Sequence, residues 1–376
     1  MWFTARVTDR VAAGVCEETS AAPSVEPPTA NVHPHDIVAG PGLVESVFWI
    51  GAVQLAQLAG VLLGVGLIVG SFQMAGGRMS GLLDLLERLE PELLTLLAIG
   101  QWAVLLFAIV AVRWRVGRVT FGRLGWHRPT LLQLLLGLAM VLPIWLIASA
   151  TQTLAFSFSP PAREELSALL RGLIGGPFAT LLFALAITPA IAEELLFRGL
   201  IGRGLINRWG PVWGVAGTSV LFGLAHWNLG QSLGVIPIGL ALHFAYLVTG
   251  SLWLPIILHA LNNSVAVGLL AFPSSEWGQS LVVRGGPGLP LLLVSGAVIV
   301  GACALLWETR RRGVALEVAG ELDLATGTGR LSGSQGSAVR FSGGWSPAPQ
   351  PALLYGGLLF NLAGFVAILA RDLSSS

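Results

Sequence analysis

The sequence predicts an all-α fold, a polytopic bundle of about eight or nine transmembrane helices, from three observations. Hydrophobic residues make up 54% of the 376 residues and charged residues only 11%, and the mean hydropathy is +0.76. Several apolar runs reach about 18 residues, the length at which a helix crosses a bilayer. Arginines gather in the polar segments between these runs, as the positive-inside rule expects of cytoplasmic loops.

The predicted spans follow one another with short connections. We place them at residues 47–69, 93–112, 131–155, 178–200, 212–227, 232–248, 252–271, 289–307 and 353–370. Residues 76–91 and 163–171 mix apolar and charged side chains and predict amphipathic connectors. These spans and connectors account for most of the chain.

The chain is predicted to divide into six parts. Its first 42 residues lack the apolar region of a signal peptide and have the composition of a disordered tail. The parts are the tail, 1–42; N-terminal transmembrane helices with a connector, 43–174; a membrane core that carries the chemistry, 175–271; a further transmembrane helix, 272–308; a polar cytoplasmic loop, 309–350; and a final transmembrane helix, 351–376.

Arginine positions predict the orientation in the membrane. Nine spans counted from a cytoplasmic N-terminus put three arginine groups on the cytoplasmic side: 113–128, 203–208 and 310–312. The C-terminus would then lie outside. The chain contains no lysine, which leads us to expect a multi-pass protein of a bacterial inner membrane. A net charge of +1 gives no reason to expect a nucleic-acid partner, and two cysteines make no disulfide framework.

Two adjacent carboxylates, Glu193 and Glu194, lie in the predicted fourth span. A charge at the centre of a span is unfavourable by about 2.5–3.5 kcal/mol on translocon scales and usually marks a functional site. Glu194 and Arg198 are four residues apart, so on a helix they share a face and can form an ion pair. Glu193 lies about 100° round the axis, which leaves its carboxylate available for chemistry. The alternative is a helix end at the interface, whose charged side chains reach to water.

Two later spans add histidine and amide side chains. Phe222 and His226 are four residues apart in the fifth span, and His259 and Asn263 have the same spacing in the seventh. Each pair therefore projects from one face of its helix. A single histidine in a span more often hydrogen-bonds a neighbouring helix than acts as a catalyst, and that is our interpretation of His243. The three patterns together predict one buried polar pocket.

A pocket of this composition can hydrolyse a peptide bond. A carboxylate close to an imidazole can take a proton from water, and a second imidazole with an amide N–H can stabilise an oxyanion. Other intramembrane protease chemistries fit the sequence less well. All five aspartates lie outside the predicted spans, and the motifs His-Glu-x-x-His and Gly-x-Ser-x-Gly are absent. A serine enzyme would have to pair Ser219 with a histidine.

The ordered motifs resemble the CPBP family, the CAAX prenyl protease type 2-like or Abi intramembrane endopeptidases. Its pattern of Glu-Glu-x-x-x-Arg, Phe-x-x-x-His and His-x-x-x-Asn on successive membrane helices is matched without a departure. The matching residues are Glu193, Glu194, Arg198, Phe222, His226, His259 and Asn263. The resemblance covers about residues 175–268, and the first three spans remain outside it.

The resemblance implies a role for each of these side chains. Glu193 would activate water with His226. The oxyanion hole would be formed by His259 and Asn263, and Glu194 with Arg198 would be a structural ion pair. The resemblance also implies a metal-independent mechanism. We therefore expect no cofactor, and zinc stays an alternative that no ligand motif supports.

The resemblance implies a membrane-associated protein or peptide as substrate, besides the lipid bilayer as surroundings, and leaves open whether that substrate is prenylated. Two other functions compete. A catalytically inactive scaffold or immunity-type membrane protein of the same fold would carry every motif residue equally well. A proton-coupled carrier could use Glu193 and the histidines as a relay, but carriers usually show internal repeats, and we find none.

Overall fold

The computed structural model describes residues 40–78, 80–117, 124–272 and 287–326. These residues form helices joined by short turns, and no β-strand occurs among them. The helices are α1 Leu43–Met74, α2 Leu82–Leu89, α3 Leu93–Val116, α4 Leu131–Phe158, α5 Pro160–Arg171, α6 Phe178–Leu224, α7 Leu229–Thr249, α8 Trp253–Ala271 and α9 Leu289–Thr326. The predicted all-α class is confirmed.

Within the described residues, seven helices are long and apolar enough to cross a membrane. They are α1, α2 continued into α3 through a 3₁₀ turn at Glu90–Glu92, α4, α6, α7, α8 and the Leu289–Arg310 part of α9. The chain is thus a multi-pass membrane protein. The predicted final span at 353–370 and the predicted tail up to residue 39 lie outside the described residues.

The longest helix, α6, is a hairpin rather than one rod. At Gly210 the backbone has φ 75° and ψ 171°, a conformation almost confined to glycine, and Pro211 follows. The two arms then lie side by side, because a Cβ at Gly214 would overlap the backbone of Ile206. The arms are residues 178–209 and 211–224; the first contains the predicted fourth span, 178–200, and the second ends three residues before the end of the predicted fifth span, 212–227.

The second arm of α6 is short, which fixes the depth of its last residues. Its 14 residues rise about 21 Å, less than the roughly 30 Å hydrocarbon core of a bilayer. Gln54, twelve residues into α1, donates a hydrogen bond to the carbonyl of Ala225 at 2.7 Å. His226, next in the chain, therefore lies at membrane depth although it follows the end of the helix.

The helix ends that carry Arg113, Arg115 and Arg208 meet on one side of the bundle. Four residue pairs join helix ends there through side-chain hydrogen bonds: Arg115 with Glu45, Arg208 with Gly40, Ser251 with His127, and Gln133 with Thr309. In the bundle, α1 packs against α3, and α3 packs against the first arm of α6. Helix α8 lies between that arm and α4.

Two connectors have the predicted helical character, and α9 differs from the prediction. Helix α2 lies within the predicted connector 76–91, and α5 contains the predicted connector 163–171 but begins three residues earlier. Helix α9 continues to Thr326, past the predicted end of the span at 307 and into the segment predicted as a polar loop. The remainder of that segment, residues 327–350, lies outside the described residues.

Candidate active site

Two π-helical segments flank the glutamate pair in the first arm of α6. They are Phe183–Ile187 and Phe197–Ile201, and Thr188–Leu196 between them is α-helical. A π-helical turn inside an α-helix is uncommon and is found often at functional sites. Glu193 and Glu194 lie on the α-helical piece, whereas Arg198 lies on the second π segment.

Glu194 and Arg198 form the predicted ion pair in the centre of the bundle. Their side chains are 0% and 1% exposed, and Arg198 Nη1 lies 2.7 Å from Glu194 Oε1. Arg198 Nη2 donates a second bond to the carbonyl of Gly239 on α7 at 3.0 Å. The guanidinium also lies 5.2 Å from the Phe222 ring centroid, within range of a cation–π interaction. The arginine thus joins both arms of α6 to α7.

His259 on α8 contacts both glutamates, which the sequence did not indicate. Its Nδ1 lies 2.7 Å from Glu194 Oε1, and its Nε2 lies 3.7 Å from Glu193 Oε2. An ionised carboxylate only accepts hydrogen bonds, so Nδ1 is the donor to Glu194. That bond fixes the orientation of the ring and directs Nε2 towards Glu193.

Glu193 and His226 line one cavity of about 260 Å³. The Glu193 side chain is 24% exposed, in contrast to fully buried Glu194. Its Oε2 is buried and has no hydrogen-bond partner in the described part of the chain. His226 Nδ1 lies 2.9 Å from the carbonyl of Phe222. A donor at Nδ1 makes Nε2 the free nitrogen of the neutral ring.

Phe222 packs between the other motif side chains. Its ring lies edge-on to Phe197 at 5.1 Å, to His226 at 5.2 Å and to His259 at 5.7 Å between centroids. The residue is 1% exposed. Because it contacts both histidines and stacks near Arg198, it holds the spacing of the polar groups around it.

Asn263 lies one helical turn beyond His259, and it does not line the cavity. Its Nδ2 donates to the carbonyl of Leu185 on α6 at 3.3 Å. Pro189, four residues further on, has no N–H to give that carbonyl, so Asn263 supplies a donor in its place. A carboxamide has two N–H donors, and this bond uses one of them.

Two further polar side chains, Ser219 and His243, do not line the cavity. The Ser219 hydroxyl is 1% exposed and donates to the Val215 carbonyl in its own helix at 2.8 Å. His243 is 0% exposed, and neither ring nitrogen has a hydrogen-bond partner in the described residues. Its ring packs where a Cβ of Gly202 would stand. The hydrogen bond expected of His243 is thus not formed in the structure.

The grouping of His, Cys, Asp and Glu side chains bears on whether the site could hold a metal ion. Among the described residues, no three or more His, Cys, Asp or Glu side chains are grouped so that they could hold one metal ion. The two glutamates contact opposite nitrogens of the His259 ring, an arrangement that does not converge on a common point. Metal independence stays a prediction.

Glutamines around the cavity are the main feature that sequence reasoning missed. Gln54 and Gln57 of α1, Gln101 of α3 and Gln231 of α7 line it together with Glu193 and His226. Neutral glutamines in apolar spans were the available signal. Two of the contributing helices, α1 and α3, had been left outside the site.

The fold and these side chains define a polytopic helical membrane protein with a carboxylate–histidine site at membrane depth. Residues 175–265 match the model of the family described as Rce1-like, type II CAAX prenyl endopeptidase. The resemblance inferred from the motifs is therefore confirmed for this segment, and it supports a CAAX protease-type hydrolase at the level of the family. No curated protein and no solved structure matches the chain.

Proposed function

We propose that the chain is an intramembrane endopeptidase that hydrolyses a peptide bond in a membrane-associated protein or peptide. The observation that carries this proposal is that Glu193 and His226 line the same cavity at membrane depth. A carboxylate that is free of a hydrogen-bond partner, beside an imidazole and open to a space that holds water-sized groups, has what a general base needs.

Glu193 is the base in this mechanism. It takes a proton from a water molecule in the cavity, and the hydroxide attacks the scissile carbonyl. His226 Nε2, the free nitrogen, accepts a hydrogen bond from the same water, and the proton held by Glu193 passes to the leaving amine, directly or through His226, as the C–N bond breaks. A general base lies about 2.6–3.2 Å from the proton that it takes, or acts through one water. The cavity of about 260 Å³ has room for a water molecule beside the substrate.

His259 stabilises the oxyanion. Its Nδ1 donates to Glu194, so its Nε2 points into the region beside Glu193, where a ring that carries a second proton offers an Nε2–H donor. A donor held in place before the reaction stabilises developing negative charge without reorganising. The remaining N–H of Asn263 is a second candidate donor, one turn along α8.

The structural ion pair of Glu194 and Arg198 holds His259 in this position. Glu194 Oε1 is the acceptor for Arg198 Nη1 and for His259 Nδ1, each at 2.7 Å. The two adjacent glutamates therefore differ in role: Glu193 faces the cavity, and Glu194 orients the histidine.

A cleavage assay tests the proposal. Full-length protein in lipid nanodiscs is incubated with membrane-anchored peptides, half of them carrying a prenylated C-terminal Cys-a-a-X sequence as the family description suggests, and products are identified by mass spectrometry. We expect a single internal cleavage in at least one peptide class. A chain that binds these peptides and cleaves none would support the inactive scaffold instead.

A further inference from the structure

The cavity beside Glu193 has a wall of carboxamides. Four of the ten glutamines in the chain line this space of about 260 Å³, from three different helices: Gln54, Gln57, Gln101 and Gln231. Most other lining side chains are apolar. The surrounding helices also expose many large apolar side chains, most of them leucine.

Three of these carboxamides are not used to hold the bundle together. Gln54 donates to the carbonyl of Ala225 at 2.7 Å and so fixes α1 against the end of α6. In contrast, the side chains of Gln57, Gln101 and Gln231 form no hydrogen bond with the described part of the protein. Each is half-buried. An amide in apolar surroundings is unfavourable without a partner, so a partner is expected to come from the cavity.

We propose that Gln57, Gln101 and Gln231 bind the main-chain amides of an extended substrate segment next to Glu193. This inference rests on the proposed function of the same site. A peptide has to leave its helix to expose a bond to attack, and its freed N–H and C=O groups then need partners because lipid offers none. A carboxamide has an acceptor oxygen and two N–H donors, so it can pair with both the N–H and the C=O of a peptide group.

The chemistry of the wall also defines the class of substrate. The glutamines are neutral, so they favour peptide groups over charged side chains. The apolar part of the wall, including Val104, Leu196 and Phe197, suits apolar substrate side chains. The site therefore takes an uncharged, extended, apolar segment, and α1 and α3, which lie outside the family match, complete it.

Binding and turnover are measured separately to test this. A fluorescent peptide that the wild type cleaves is titrated against Glu193→Gln protein, alone and combined with Gln57→Leu and Gln101→Leu. Losing each hydrogen bond should weaken binding about three- to tenfold. In protein that keeps Glu193, the same two changes should raise KM by the factor by which they weaken binding, and kcat should stay within about twofold, since the base is untouched.

The matched control is Gln152→Leu, at a half-buried position on α4 away from the cavity. It should change neither the affinity nor KM.

A second series modifies the peptide rather than the protein, and its first measurements need only the wild-type chain. Single amides of the peptide are N-methylated or replaced by esters around the scissile bond. Modification at one or two positions should weaken binding to the wild type. The same modifications should not weaken binding to the Gln57→Leu/Gln101→Leu protein, which already lacks the glutamines that those amides contact. Unchanged affinity in the double variant, or no sensitivity to backbone modification, overturns the glutamine wall. Full cleavage by Glu193→Gln instead overturns the proposed mechanism and leaves the binding result standing.

Discussion

At the scale of residues, Glu194 contributes both to stability, through its ion pair, and to the proposed chemistry, through its bond to His259. Its Oε1 accepts from Arg198 and from His259, whereas Glu193 has only a 3.7 Å contact with His259. Replacing Glu194 by glutamine therefore leaves a buried arginine without its charge partner. Replacing Glu193 affects only this longer contact and leaves the pair of Glu194 and Arg198 intact.

Glu194→Gln should reduce stability before it reduces activity. Breaking a buried pair costs about 3–5 kcal/mol in soluble proteins, and we expect a lower detergent melting temperature and poorer expression. Arg198→Met should behave in the same way. The Glu194→Gln/Arg198→Met double variant should recover part of the melting temperature but little activity, since His259 keeps only a neutral acceptor. Equal melting temperatures for Glu193→Gln and Glu194→Gln would show that the two residues are not divided in this way.

Ser219→Ala separates the carboxylate mechanism from a serine mechanism. The Ser219 hydroxyl is buried in a bond to its own helix, and it lies against Gly239 rather than in the cavity. We expect kcat/KM within about twofold of the wild type and a stability loss of about 1 kcal/mol for one hydrogen bond. Loss of turnover with an unchanged melting temperature would assign the nucleophile to Ser219.

At the scale of elements, the hairpin in α6 sets the height of the site. The arms reverse at Gly210, and the shortness of the second arm keeps His226 at the depth of Glu193. A residue with a Cβ at Gly210 is strained, because φ 75° with ψ 171° belongs to a region used almost only by glycine.

Gly210→Ala should therefore destabilise the chain by about 1–3 kcal/mol. The matched control is Gly66→Ala, in the interior of α1, where a Cβ meets nothing within 4 Å. That change should be neutral or stabilising by up to about 1 kcal/mol, through helix propensity. Thermal unfolding in detergent measures both. A melting temperature for Gly210→Ala at or above that of Gly66→Ala would contradict the hairpin.

Sequence patterns could predict each helix and each motif face, but not which faces meet. Spacing alone places Glu194 with Arg198 and His259 with Asn263, because these are local relations along a helix. The bond between His259 and Glu194 joins residues 65 positions apart, and no local pattern encodes it. The glutamines could not be predicted as site residues for a related reason: a single uncharged amide in a span matches no motif, and its significance comes from helices that are distant in sequence.

At the scale of the whole molecule, the arginines at one end of the bundle predict its orientation. The helix ends that carry Arg113, Arg115, Arg128 and Arg208 are the ends that meet. By the positive-inside rule we expect this end to be cytoplasmic. The loops at the other end, including α2 and α5, would then face outwards.

Cysteine labelling of intact cells checks the orientation. In a background without Cys16 and Cys303, Arg128→Cys should react with a membrane-impermeant maleimide only after permeabilisation. Glu87→Cys on α2 should react in intact cells, since both side chains are exposed and lie at opposite ends of the bundle. The opposite pattern would invert the orientation, and with it the side from which a substrate enters.

The most direct measurement of the central claim compares turnover by wild-type, Glu193→Gln and Glu165→Gln proteins in nanodiscs, on the peptide that the wild type cleaves. Glutamine keeps the shape of Glu193 and removes the base, and general-base catalysis contributes about 10²–10⁴-fold. We predict a kcat lower by that factor for Glu193→Gln, with peptide affinity and melting temperature unchanged. Glu165, exposed on α5 and away from the cavity, should tolerate the same change without effect. Turnover by Glu193→Gln within about threefold of the wild type would contradict the assignment of Glu193 as the base.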